Sequence, residues 1–155
     1  MVKALTFKEA LDKAMSYCGR AEHCVSDVKT KLIQWRTSEE YIDTIIQKLI
    51  EDRFVDEKRF AEMYIREKIM YASWGRVKIA HALAVKRVSD QIYKPILETF
   101  DYATYEMIAE KSLTAKWRQI KAKDFYEKKA KLFRFAMGRG FETYVVQAWL
   151  EKNKE

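Results

Sequence analysis

A chain of 155 residues with only 4 Gly and 1 Pro has little material for the turns of an all-β fold, and no apolar run in it is long enough to span a membrane. Its net charge of +7 is unevenly placed: residues 1–110 balance 18 basic against 18 acidic side chains, while residues 111–139 set ten Lys and Arg against Asp124 and Glu127. That stretch, at +8, raises the local concentration of a polyanion or an acidic protein surface.

The elements follow in chain order. Thr6-Phe7-Lys8-Glu9 is a capping box, so a first helix is predicted from Phe7 to Arg20, with Leu11, Ala14, Met15 and Cys18 on its buried stripe. A short second helix follows Ser26 and ends near Gln34. A third begins after Thr37, with Glu40 as its box partner, and carries Tyr41, Ile42, Ile45, Ile46 and Leu49 on one face. Asp56 caps the next, expected to be the longest and to reach Ser73, with Phe60, Tyr64 and Ile65 inward. Trp74-Gly75 interrupts it. Ile79 and Leu83 then mark a short helix, and Ser89 starts another toward Phe100, which Pro95 must delay or kink. A helix from Tyr105 to Lys121 follows. Asp124 with Glu127 opens the next, Gly138 or Gly140 ends it, and a last helix from Glu142 to Asn153 buries Val145, Val146, Trp149 and Leu150.

The pattern repeats. Leu32, Ile42, Ile45, Ile46 and Leu49 return 51 residues later as Leu83, Tyr93, Ile96, Leu97 and Phe100, and a further 53 on as Ala136, Val146, Trp149 and Leu150. Self-similarity at this period means stacked supersecondary units, which present an extended face suited to binding. The expected fold is all-α, three tandem three-helix repeats in an elongated array, with units at 1–53, 54–101 and 102–155.

Four segments in order resemble the bacterial RecX regulatory proteins. Phe54-Val55-Asp56-Glu57-Lys58-Arg59-Phe60-Ala61 is similar to that family's aromatic-aliphatic-acid-acid-x-Arg-aromatic-Ala signature. Gly75-Arg76-Val77-Lys78-Ile79 with Leu83 resembles its glycine-led second motif, Phe135 to Phe141 its closing Arg-Gly-aromatic element, and Ser26 to Leu32 its upstream helix. The chain departs where the family places Gly after the second helix of its first two repeats: these sites read Trp35-Arg36-Thr37 and Lys86-Arg87-Val88. Arg costs about 1 kcal/mol there if a left-handed backbone is kept, unless the turn differs.

The resemblance implies a partner, the RecA recombinase filament on DNA, and a role in DNA repair and recombination. The protein would lodge in the filament groove, touch neighbouring RecA subunits and restrain ATP hydrolysis, strand exchange and co-protease activity. Direct contact with single- or double-stranded DNA is a further expectation. An alternative reading is a sequence-nonspecific nucleic-acid-binding helical repeat that acts without RecA.

No catalytic machinery is expected. His23 and His81 are the only histidines, neither beside a nucleophile, and no phosphate-cradling Gly-rich loop precedes a helix. Cys18 and Cys24 read as small buried hydrophobes in a reducing compartment, not as a disulfide or metal pair. No cofactor, metal or membrane contact is expected, and a cytoplasmic monomer without an N-terminal leader is. The candidate contact residues for RecA or DNA are Lys111, Lys116, Arg118, Lys121, Lys123, Lys128, Lys129, Lys131, Arg134 and Arg139. A second set in the middle unit is Arg59, Arg66, Arg76, Lys78, Lys86 and Arg87, and Trp74 and Trp117 are expected to pack in the core.

Overall fold

The computed structural model describes residues 3–153, and within them the chain is all-α. Met1, Val2, Lys154 and Glu155, the outermost residues of the first and third expected units, lie outside the described residues. Nine helices are present among those described: α1 Phe7–Arg20, α2 Val25–Gln34, α3 Glu39–Glu51, α4 Glu57–Met70, α5 Arg76–Val85, α6 Asp90–Thr99, α7 Tyr102–Gln119, α8 Phe125–Arg139 and α9 Thr143–Lys152.

The caps explain the starts. Thr6 and Glu9 form the reciprocal box, with Glu9 N–H donating to Thr6 Oγ1 at 3.1 Å and Thr6 N–H to Glu9 Oε1 at 3.0 Å. Asp56, Ser89 and Asp124 accept from free amides at the starts of α4, α6 and α8. Thr37 does not cap α3. Ser38 holds that position without a side-chain bond, and Thr37 is buried with its hydroxyl unpartnered. The longest helix is α7 with 18 residues, not α4 with 14. α4 stops at Met70, and α7 begins three residues earlier than expected because Asp101 caps it, accepting from Thr104 N–H at 3.1 Å. Pro95 stands inside α6, sixth of ten residues, and the helix runs through it.

The repeat is built into the backbone. After the second helix of each three the chain turns through one left-handed residue: Arg36 at φ 60°, Arg87 at φ 62° and Gly140 at φ 87°. Each closes the same pair of bonds. Thr37, Val88 and Phe141 donate their amides to the carbonyls of Leu32, Leu83 and Ala136 at 3.0 Å, and the left-handed residues bond Ile33, Ala84 and Met137. This is the Schellman geometry, which satisfies the orphan carbonyls of a helix end and sends the next residue into the core. Thr37, Val88 and Phe141 are all buried there. The two arginines therefore keep the turn that glycine would favour.

Packing divides unequally. α1, α2 and α3 bury Ala10, Ala14, Val28, Leu32, Ile45, Leu49 and their neighbours in one cluster. A second cluster runs without a break from Phe60 through Ile79, Leu83, Tyr105 and Leu113 to Trp149, so α4 to α9 share an apolar interior.

The two sides of α4–α6 are joined to their neighbours differently. Toward α1–α3 two ion pairs flank one buried apolar contact: Glu22 accepts from Arg59 Nε, Lys86 Nζ donates to Asp27 Oδ1 at 2.9 Å, and Cys24 of the first unit joins the cluster of α4–α9. Toward α7–α9 the backbones interlock. Gly75 N–H donates to Arg139 C=O at 2.7 Å and Val77 N–H to Gly140 C=O at 3.0 Å. A Cβ on Gly75 would lie 2.2 Å from the Gly140 carbonyl carbon, so only glycine permits this approach.

Candidate functional site

α7 and α8 pack through Leu113, Leu132 and Ala136, all fully buried, and this leaves their outward sides facing each other across a groove. One part, of about 540 Å³, is lined by Lys116, Gln119, Ile120, Lys121, Lys131, Arg134 and Phe135. An adjoining part of about 590 Å³ runs to the end of α4 and adds Met70, Ser73, Ile108, Lys111, Ser112, Ala115 and Arg139. Lys116, Gln119 and Phe135 line both, so the groove is continuous. Six cations line it and no carboxylate does. In a low-dielectric concavity such an arrangement focuses positive potential.

Local bonds hold several of these cations in place. Lys116 Nζ and the Arg139 guanidinium carbon each lie 5.3 Å from the Phe135 ring centroid, so one ring is shared by two cations. Arg139 Nη1 also donates to Ala72 C=O at 3.1 Å, which ties the groove wall to the end of α4. Lys131 Nζ donates to Lys121 C=O at 2.7 Å and meets Glu127 at 3.1 Å from outside the groove. Lys111, Lys121 and Arg134 extend into solvent. The groove thus sets apolar side chains such as Phe135 and Ile120 beside held and exposed cations, which suits a phosphate backbone or an acidic protein ridge.

Charge counting alone did not reveal which basic residues converge. The helix expected to reach Lys121 ends at Gln119, so Lys121 and Lys123 are off it. The groove takes Lys111, Lys116 and Lys121 and leaves out Arg118 and Lys123. Lys129 is exposed elsewhere, and Lys128 Nζ sits 4.3 Å from the Trp117 centroid. Phe135 went unnoticed as a site residue, although its spacing of four from Arg139 on one helix is a signal for such a pair.

The middle-unit set is not gathered into one place. Arg76 is turned inward: its Nε donates to Leu97 C=O at 3.1 Å, its Nη1 reaches Glu142 Oε2 at 3.3 Å, and its guanidinium lies 4.2 Å from the Tyr105 ring. The Tyr105 hydroxyl accepts from Arg76 N–H and donates to Glu142, and burial together with that carboxylate pushes its pKa well above the usual phenol range. Arg59 and Lys86 hold Glu22 and Asp27 across the junction with the first unit. Lys78 stands over Trp74, 4.4 Å from its centroid, with Lys68 at 4.7 Å. Arg66 and Arg87 are exposed. Trp74 and Trp117 are half-buried, each packed on the core under a lysine.

Cys18 and Cys24 are free and buried, and burial raises the Cys18 thiol to about 11. His81 is exposed, and His23 stacks on Tyr17 with centroids 3.8 Å apart. Among the described residues no group of three or more His, Cys, Asp or Glu is placed to hold a metal ion, and no helix is long and apolar enough to cross a membrane.

Fold and groove together define a class: an all-helical array of three-helix units with a basic groove on its last unit. Comparison with known proteins places it further. The models of the second and the third three-helix domain of RecX match residues 56–94 and 105–150. The regulatory protein RecX of Pelodictyon phaeoclathratiforme is 32% identical over 142 residues, covering 91% of this chain and 86% of that protein. That of Chlorobium phaeobacteroides is 28% identical over 145 residues, with 94% and 93% covered. The crystal structure of RecX from Lactobacillus salivarius superimposes with a TM-score of 0.82 at 20% identity, over 94% of this chain and 95% of that one, and shares the fold. The chain belongs to the RecX family of regulatory proteins.

Proposed function

We propose that this protein binds the RecA–DNA filament and restrains RecA's ATP hydrolysis, and with it strand exchange and co-protease activity, acting as a cytoplasmic monomer without a cofactor. The observation that carries this reading is the carboxylate-free groove between α7 and α8, joined to family membership along nearly the whole chain. The groove meets DNA phosphates or an acidic RecA surface, and the array of units lets one molecule touch more than one RecA subunit. Inhibition is then expected at less than one molecule per RecA subunit, read as ATP turnover on single-stranded DNA. Unchanged turnover at equimolar protein would refute it.

The groove itself is tested by two triple variants of equal charge. Replacing Lys116, Lys121 and Lys131 with Gln removes groove cations, whereas replacing Arg118, Lys123 and Lys129 removes cations outside it. Only the first is expected to weaken inhibition and filament binding. If the groove meets single-stranded phosphates, that variant also flattens the salt slope of binding to bare strands by up to about 2 units. Equal losses from both triples would reduce the effect to net charge. Wild-type binding to bare DNA as tight as to the filament would favour the nucleic-acid reading without RecA.

A further inference from the structure

The first three-helix unit carries a second groove outside the basic stretch of residues 111–139, and of its lining only Lys31 falls within a segment that resembles the family. α1 presents Lys13, Tyr17 and Arg20, α2 presents Lys31, and Trp35 follows α2; with His23 at one end they enclose about 700 Å³. Lys13 Nζ lies 4.7 Å from the Trp35 centroid and Lys31 Nζ 5.6 Å from that of Tyr17. Among the described residues none of Lys13, Arg20 and Lys31 has a carboxylate at ion-pair distance. Asp12 is the single acid in the lining, and Asp27, which faces His23 at 3.7 Å, is bonded to Lys86. Lys13 and Lys31 are held by aromatic faces, and these two and Arg20 have no carboxylate among the described residues at ion-pair distance.

The repeat supplies an independent argument. Lys31 and Trp35 stand five and one residues before the left-handed Arg36, and Phe135 and Arg139 stand five and one before Gly140. Both pairs line the groove between the first and second helices of their unit, with the aromatic and the cation exchanged. In the middle unit the same positions are Ala82 and Lys86, and Lys86 is bonded to Asp27 of the first unit. On the first and last units the equivalent positions line open grooves that are basic and aromatic, the last with Met70, Ser73 and the Ala72 carbonyl of the neighbouring unit at one end.

We propose that the α1/α2 groove is a second binding site for a phosphate-bearing ligand, either a free nucleotide or pyrophosphate group or a short run of single-stranded backbone. Phosphate oxygens are strong acceptors for ammonium and guanidinium groups, and Tyr17 and Trp35 supply rings beside which a base can stack. The site needs no RecA, so it stands or falls apart from the filament reading.

The test uses the full chain without RecA, in two arms. Pyrophosphate is titrated while the indole N–H resonance of Trp35 is followed by NMR. A short oligothymidylate is titrated by fluorescence anisotropy across a salt series, with Lys116, Lys121 and Lys131 already replaced by Gln so that the other groove is silent. Replacing Lys13 and Lys31 with Gln is expected to lower strand affinity roughly tenfold near 0.1 M salt and to flatten the slope by about 1.4 units. It also abolishes the pyrophosphate-dependent shift. Arg20→Gln, which touches neither ring, acts in the same direction with an unchanged melting curve. A response in the strand arm alone identifies the backbone as ligand, and one in the pyrophosphate arm alone identifies a free nucleotide. No response to these substitutions in either arm, or equal competition by a polyglutamate peptide, would overturn the proposal.

Discussion

At Arg36 and Arg87 a side chain with a Cβ occupies the left-handed region that glycine adopts freely, and it does so at matching points of two successive repeats. The bonds that follow, from Thr37 to Leu32 and from Val88 to Leu83, return enough to hold the geometry. Replacing Arg87 with Gly is therefore expected to raise stability by about 1 kcal/mol, the conformational cost of the Cβ, partly offset by a freer unfolded chain. Chemical denaturation of the single variant checks this, and a loss of stability would mean that the Arg87 side chain makes a compensating contact. Gly140 illustrates the opposite case: its φ of 87° would be strained for any other residue, and an added Cβ would lie 2.3 Å from Lys78 Cβ. At Thr37, the counterpart of the apolar Val88 and Phe141, burial leaves a hydroxyl without a partner, which explains why a residue of capping type does not cap.

At the scale of the element, four helix starts were legible from an Asp, Ser or Thr just ahead of an apolar stripe, at Thr6, Asp56, Ser89 and Asp124. Asp101 has the same chemistry and caps α7 three residues ahead of the expected start at Tyr105. α5 shows why pattern alone is not enough. Its residues Ile79, Ala80, Ala82, Leu83, Ala84 and Val85 are apolar nearly all round, yet only Ile79 and Leu83 are fully buried, and Val85 is exposed. Leu83 joins the cluster shared by α4 to α9, so Leu83→Ala is expected to destabilise the fold by roughly 2–5 kcal/mol. Thermal melting checks it. A curve unchanged from the wild type would show that Leu83 contributes no packing at this site. Pro95 cannot donate to the Gln91 carbonyl, and α6 tolerates the loss because both residues face solvent, where water can replace the missing bond.

At the scale of the molecule, the two junctions differ in kind and so in their response to conditions. The α4–α6 and α7–α9 sides interlock through glycine backbones and a broad common apolar cluster, while the first unit is held by the Glu22–Arg59 and Asp27–Lys86 pairs and contributes only Cys24 to that cluster. Burial opposes ionisation of Asp27, but Lys86 donating at 2.9 Å outweighs it and holds the carboxyl below its usual range. A carboxylate depressed in the folded state contributes stability that is complete above its unfolded value, near about 4, and is lost as pH falls through the lower folded value. Asp27→Asn is therefore expected to be less stable than the wild type at pH 7, with the difference shrinking on acidification to about pH 3. Denaturation midpoints at the two pH values measure it, and a constant difference would show that the pair's charge does not matter.

What the sequence determined by itself is local or periodic: nine helices from caps and stripes, the repeat from its spacing, and the family resemblance from four short motifs in order. These depend on interactions within a few residues, which one strand of text displays. The tertiary structure decided what depends on distant partners. It placed Gly75 against Gly140, turned Arg76 inward to Glu142, and bound Lys86 to Asp27. It also sorted a stretch of ten cations into six that share a groove and four that do not, because helix ends and packing angles, not charge, decide which ammonium groups converge.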